Sequence, residues 1–182
     1  MDKNPAKAVV LPHHDDLVGD KPENCWTKEQ MNHFFACIDQ ANHFDIFIMF
    51  RVLAFTGVRR GELLALTWND VSFKENSIKV NKTLTQGDKG HQIVQAPKTR
   101  AGRRTIPVDG QTMAYLKRWR RIQQETFIQL GINTMQPNQL LFTNTKNGYQ
   151  SLNTPSKRLH KLQDDNGLTP RITIHGFRHS FI

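Results

Sequence analysis

Apolar residues at Met31, Phe34, Phe35 and Ile38 recur at i, i+3, i+4 and i+7, the period of a helix with one buried face. Thr27 and Gln30 stand before that stripe in a Thr-x-x-Gln arrangement, so a capping box is predicted to start the helix at Thr27. The next segment, Asp45 to Phe55, is apolar nearly all round and predicts a buried central helix. In TGVRRGELLALTWNDV the chain turns at Gly57, and another helix starts near Gly61. The period then shifts to two. SIKVNKTLT alternates Ile78, Val80 and Leu84 with polar neighbours, HQIVQAPK and RRTIPV follow, and TRAG, with Gly102, forms the turn between the last two. A small antiparallel meander is the expected result. Asp109 is placed to cap a long helix whose Met113, Leu116, Trp119, Phe127 and Leu130 share one face. A short strand over Leu140 to Phe142, a helix around Leu152 to Gln163, and the beginning of one more helix in TPRITIHGFRHSFI complete the pattern.

Residues 1–25 contain Pro5, Pro12 and Pro22 and show no sustained period, which makes them a linker or arm. The rest, residues 26–182, is expected to fold as a mainly α domain with a small antiparallel β-sheet, in the α+β class. There is no internal repeat.

Charge narrows the range of partners. The chain has 25 Lys+Arg against 16 Asp+Glu, a formal net charge of +9. From Lys98 to Arg121, eight cations face the single Asp109. A field of this sign and density attracts polyanions, nucleic acid before an anionic membrane, although many basic faces are only solvated. Cys25 and Cys37 make no disulfide framework and lack the short-spaced partners of a zinc site. The most apolar run, Ile46 to Phe55, is interrupted by Arg51 and reaches about half of the ~20 residues that a membrane span needs. No charged-then-apolar leader opens the chain. A reduced, cytoplasmic protein with no membrane partner is expected.

Four segments hold candidate chemistry. His175 and His179 lie four apart, as in a helical zinc motif, but Gly176 stands where that motif has its general base and Arg178 would set a positive charge beside a cation. His13, His14, Asp15 and Asp16 sit in a proline-flanked arm and carry little weight as ligands. No metal and no cofactor are therefore expected. A phosphate site fits better. Planar guanidiniums donate paired hydrogen bonds and stay charged at any working pH, which suits the nonbridging oxygens of a phosphodiester on its way to a pentacovalent state. Arg59 stands at a tight turn before a helix, Arg178 on a helix, and Lys98 beside a hairpin turn where an ammonium reaches a leaving oxygen as general acid. Singly, each has an ordinary explanation: Arg59 a surface residue at a helix start, Lys98 a solvated hairpin residue, His175 a capping or packed histidine.

Their order points further. FTGVRRGELLALTWNDV, then PKTRAGRRTIPV, then ITIHGFRHSF resembles the catalytic domain of the tyrosine recombinases, specifically the phage and integrative-element integrases, over nearly all of residues 26–182. The opening NPAKAVVLP is similar to the linker that follows a separate DNA-clasping domain in such integrases. By position, the resemblance implies that Arg59 is the first phosphate-binding arginine, with Arg60 its surface neighbour. Glu62 matches the acidic residue that supports the site by orienting an arginine or histidine. Lys98 matches the hairpin lysine that protonates the 5′ leaving oxygen. His175 and Arg178 match the His-x-x-Arg pair, and His179 is a common neighbour without a chemical role. Arg100, Arg103 and Arg104 are expected to contact DNA.

The resemblance also implies double-stranded attachment-site DNA as partner, a homotetramer for the intact protein, and a tyrosine nucleophile that forms a 3′ phosphotyrosyl link without a cofactor. That tyrosine should follow the His-x-x-Arg motif. Tyr115 and Tyr149 both precede it, so the expectation is a catalytic domain cut before its nucleophile, binding DNA without cleaving it. A noncatalytic DNA-binding or regulatory remnant of a recombinase is the alternative. A basic helical domain for an acidic protein partner is the third account.

Overall fold

The computed structural model describes residues 24–97, 102–136 and 138–180. Helix α1 (Lys28–Ala36) opens with the predicted capping box: the Gln30 backbone N–H donates to Thr27 Oγ1 at 3.3 Å, and the Thr27 N–H donates to Gln30 Oε1 at 2.8 Å. Helix α2 (Phe44–Thr56) is buried along most of its length and runs through the core, as its all-round apolarity requires. It ends at Gly57, whose φ of 57° places it in the left-handed region that glycine enters without steric cost. Helix α3 (Arg60–Ala65) follows within three residues. Helix α4 (Gly110–Gln129) is capped by Asp109, whose carboxylate accepts from the Thr112 N–H at 2.9 Å. Its Met113, Leu116 and Phe127 are buried, while Leu130 is 61% exposed. Leu130 lies one residue beyond the last turn, where the helical period that predicted its burial no longer applies. Helices α5 (Thr154–Asp165) and α6 (Ile174–His179) end the described chain.

The strands differ from the expected single meander. Strands β1 (Val71–Ser72), β2 (Ser77–Val80), β3 (Thr83–Gln86), β4 (Gln92–Gln95) and β5 (Arg104–Pro107) form two separate antiparallel sheets. One sheet has the order β1-β2-β5, with Ile78 opposite Ile106 and Val80 opposite Arg104. The other is the β3-β4 hairpin, with Leu84 opposite Val94. Alternation along a strand reports its buried face but not its neighbour. β2 has Ile78 and Val80 to bury and takes β5, whereas all four residues of β4 are exposed and it pairs only with β3. Residues 140–142 form no strand; Leu140 makes one isolated bridge to Thr67.

Two glycines permit the close approaches that hold the outer elements. A Cβ on Gly61 would stand 2.4 Å from the Leu84 carbonyl oxygen, so α3 rests directly on the backbone of β3. Gly61→Ala is therefore expected to push the two apart and to cost about 1–3 kcal/mol, read as a lower urea midpoint; an unchanged midpoint would show that the contact carries no constraint. A Cβ on Gly176 would meet the Asn24 carbonyl oxygen at 2.1 Å. There the start of the described chain is laced to α6: the Thr173 N–H donates to Asn24 Oδ1 at 2.9 Å, and the Trp26 N–H donates to Ser180 Oγ at 2.7 Å.

Candidate active site

The site is assembled from the turn before α3, the first residue of β5 and the single turn and a half of α6. Arg59 is the N-cap of α3, with an extended backbone (φ −71°, ψ 153°). Its N–H donates to Glu62 Oε2 at 2.8 Å, and its Nη1 donates to Glu62 Oε1 at 3.2 Å. Glu62, in the first turn of α3, is only 5% exposed. Arg104 reaches the same carboxylate from β5 with a paired contact, Nη1 to Oε1 at 3.0 Å and Nη2 to Oε2 at 2.8 Å. Two parallel bonds from one guanidinium fix both its plane and its position.

Charge at this point is unbalanced by construction. Burial pushes the Glu62 carboxyl up, but hydrogen bonds from Arg104 and the Arg59 backbone, with the Arg104 charge, outweigh it and hold the group below its ordinary range. The hydrogen bond to Glu62 holds Arg104 above its ordinary value. Arg178 is pushed the other way, first by burial and then by the neighbouring Arg59 charge, with Glu62 only partly offsetting. Two guanidiniums thus pair with one carboxylate, and a third feels the charge of all three groups. Arg178 makes no hydrogen bond or ion pair among the described residues, which leaves its donors available to an incoming anion.

α6 holds Arg178 in place through its opposite face. Phe177 is fully buried, with its ring centroid 5.2 Å from Phe34 and 5.3 Å from Phe50. Thr173 caps the helix, its Oγ1 accepting from the Gly176 N–H at 3.2 Å. His175 is exposed, and its Nε2 lies 2.9 Å from Nε2 of His179, a contact in which one nitrogen donates and the other accepts.

Arg59, His175 and Arg178 line one cleft of about 390 Å³, together with Arg60, Ser156 and Thr173. Two segments 115 residues apart in the sequence, from Arg59 to Ile174, are thereby brought to one concave surface. Lys98 and Arg100 lie outside the described residues. Arg103 is exposed just ahead of β5. Arg104, expected to contact DNA, is half-buried and closes on Glu62. Arg104 and Ile106 share the less exposed face of β5, which pairing with β2 turns toward the core. Tyr115 packs edge-on against Phe47 at 5.0 Å, Tyr149 sits in the turn that bridges to Thr143, and neither lines the cleft.

Among the described residues no three His, Cys, Asp or Glu side chains are grouped to hold a metal ion, and no helix is long and apolar enough to cross a membrane. Residues 25–182 match the model of the phage integrase family. The chain is similar to the ICEBs1 integrase of Bacillus subtilis (strain 168), 32% identical over 164 residues, covering 86% of this chain and 41% of that protein. It is also similar to a tyrosine recombinase XerC-like protein of Caldanaerobacter subterraneus subsp. tengcongensis, 30% identical over 142 residues, covering 71% of this chain and 36% of that protein. Among solved structures, the Tn1549 transposon integrase in complex with circular intermediate DNA superposes with a TM-score of 0.72 at 21% identity, covering 90% of this chain and 54% of that one. The chain therefore spans about two fifths of the length of these curated relatives.

Proposed function

Because the chain belongs to the phage integrase family, we propose that it forms the phosphodiester-binding part of the catalytic domain of a site-specific DNA recombinase. The observation that carries this is the pairing of Arg59 and Arg104 with the buried carboxylate of Glu62, beside an open cleft that Arg59 shares with the unpaired Arg178. Such a centre holds a fixed excess of positive charge in rigid, partly dehydrated form. A phosphodiester is the complementary ligand, and its nonbridging oxygens gain charge as the phosphorus becomes five-coordinate.

In this mechanism Arg59 and Arg178 donate to the nonbridging oxygens, and Glu62, itself fixed by Arg104, orients the exposed Arg59 side chain at the cleft. A tyrosine hydroxyl from elsewhere in the intact protein attacks phosphorus. The new Tyr O–P bond forms as the P–O5′ bond breaks, and Lys98 supplies the proton that O5′ takes up. His175, which lines the cleft, takes up the proton that the tyrosine hydroxyl loses. The product is a 3′ phosphotyrosyl link, which a free 5′ hydroxyl reverses, so bond energy is conserved without a cofactor. The intact protein acts as a homotetramer on paired attachment sites in the cytoplasm, with Arg100 and Arg103 on the flanking DNA backbone.

The binding half of this proposal is testable with the 182-residue chain. Arg59 and Arg178 alone, if each displaces a condensed counterion, give a slope of log K against log salt of about −1.8, and a loss of roughly twelve-fold in duplex affinity between 50 and 200 mM salt. Fluorescence anisotropy with a mixed-sequence duplex measures it. A loss of less than about three-fold over that range would remove the phosphate contacts from the account.

A further inference from the structure

Arg60 borders two clefts. Beyond the one it shares with Arg59 and Arg178, it lines a second of about 480 Å³. The far walls of this second cleft are Gln86 at the end of β3, Gly90 and His91 in the hairpin turn, and Ser151 and Asn153 ahead of α5. A hydrogen bond closes it from below: Gln92 Nε2, on β4, donates to the Gln150 carbonyl oxygen at 2.8 Å and ties the hairpin to the segment that leads into α5. The cleft is thus built by three distant parts of the chain rather than being a gap beside a loop.

Its chemistry is one-sided. None of the lining residues is acidic, and apart from Leu152 and Gly90 each carries a polar side chain with a hydrogen to donate. Arg60 is half-buried and makes no hydrogen bond or ion pair among the described residues. It shares this with Arg178 of the first cleft, whereas the other half-buried arginines are paired: Arg51 has Asp109 and Thr112, Arg104 has Glu62, and Arg158 has Asp45. A half-buried guanidinium without a counter-ion, facing amide and hydroxyl donors, is arranged to receive an anion.

We infer that the second cleft is a subsite for a DNA backbone phosphodiester next to the one seated in the first cleft, with Arg60 as its anion-binding residue. The inference rests on the first cleft being the seat of the reacting phosphodiester. A strand carries a phosphate about every 3.4 Å of helix axis. One that places a phosphate against Arg59 and Arg178 must carry its neighbour along an adjoining wall, and Arg60 is the residue common to both cavities. Arg60 then bridges consecutive phosphates and fixes the register of the strand, a role distinct from that of a solvated surface arginine.

The test is the salt dependence of duplex binding by the 182-residue chain carrying Arg60→Gln, Arg60→Lys, Arg59→Gln or Arg121→Gln. Arg121 is exposed on α4 beside Glu125 and serves as the surface control. Arg60→Gln is expected to make the slope of log K against log salt shallower by about 0.9, Arg60→Lys to keep it, and Arg121→Gln to leave it unchanged. If Arg60→Gln behaves like Arg121→Gln while Arg59→Gln is shallower, the subsite is overturned and the first cleft stands. If Arg60→Gln is shallower and Arg59→Gln is not, the first cleft fails, and with it the neighbouring-phosphate assignment. The Arg60 Nε–H resonance of the unmutated chain gives a check that no variant's folding affects: it should shift on addition of duplex, and a stationary signal overturns the inference.

Discussion

Arg178→Ala in the full-length protein is expected to slow strand cleavage by on the order of 10²- to 10³-fold while weakening duplex binding only several-fold. The asymmetry follows from geometry. In the free site the Arg178 guanidinium is partly dehydrated, lies near Arg59, and has no hydrogen-bond partner among the described residues. It gains little from ground-state DNA that Arg59, Arg60 and the other backbone contacts do not already supply. As phosphorus becomes five-coordinate its nonbridging oxygens gain charge, and a donor held in place by the buried Phe177 meets that charge without reorganising. Arg178→Lys is expected to recover little, because an ammonium restores the charge but not the paired donors. Single-turnover cleavage of an attachment-site duplex, beside an affinity measurement, separates the two effects. Cleavage by Arg178→Ala within a few-fold of the unmutated protein would remove Arg178 from the chemistry. Absence of cleavage by the unmutated full-length protein would instead favour a DNA-binding remnant.

Local signals carried well from sequence to fold. Thr27 and Gln30 form their capping box, Gly57 adopts the left-handed turn, and Asp109 caps the long helix, because each depends on residues within one turn of itself. What failed was pairing. β2 bypasses the hairpin to reach β5, and no periodicity within β2 encodes which strand will cover its edge. The position of Arg104 followed from that: once β5 lies beside β2, its first residue is half-buried and reaches Glu62. The motif residues Arg59, Glu62, His175 and Arg178 were singled out by type and order. The start of the described chain holds α6, with Asn24 Oδ1 accepting from the Thr173 N–H and the Trp26 N–H donating to Ser180 Oγ, and no residue type there advertises that duty. The second cleft was illegible for the same reason, since Arg60, His91 and Asn153 share no local pattern.

Glu62→Ala is expected to destabilise the domain by about 3 kcal/mol, the range for removing one partner of a buried ion pair. Glu62 accepts four hydrogen bonds, two from Arg104 and two from Arg59, and its removal leaves the half-buried Arg104 with no counter-ion near two other guanidiniums. Arg59 is mostly exposed and regains water, so most of the loss belongs to Arg104. Glu62→Gln keeps the shape and one acceptor but aims amide hydrogens at a guanidinium, and a loss of about 2 kcal/mol is expected. The pH dependence identifies the charge as the cause. The folded carboxyl titrates below its ordinary value, so its contribution is complete above the unfolded value of about 4.3 and disappears as pH falls through the lower folded value. The stability gap between the unmutated chain and Glu62→Gln should be flat from about pH 6 to 8 and close progressively below about pH 4. A gap that stays constant down to pH 3 would assign the effect to packing instead. Duplex affinity moves in the opposite sense to stability: deleting a negative charge beside the cleft should leave binding unchanged or tighter at low salt. A chain that is less stable yet binds DNA at least as well is the signature of a residue that organises the phosphate-binding arginines without touching the phosphate.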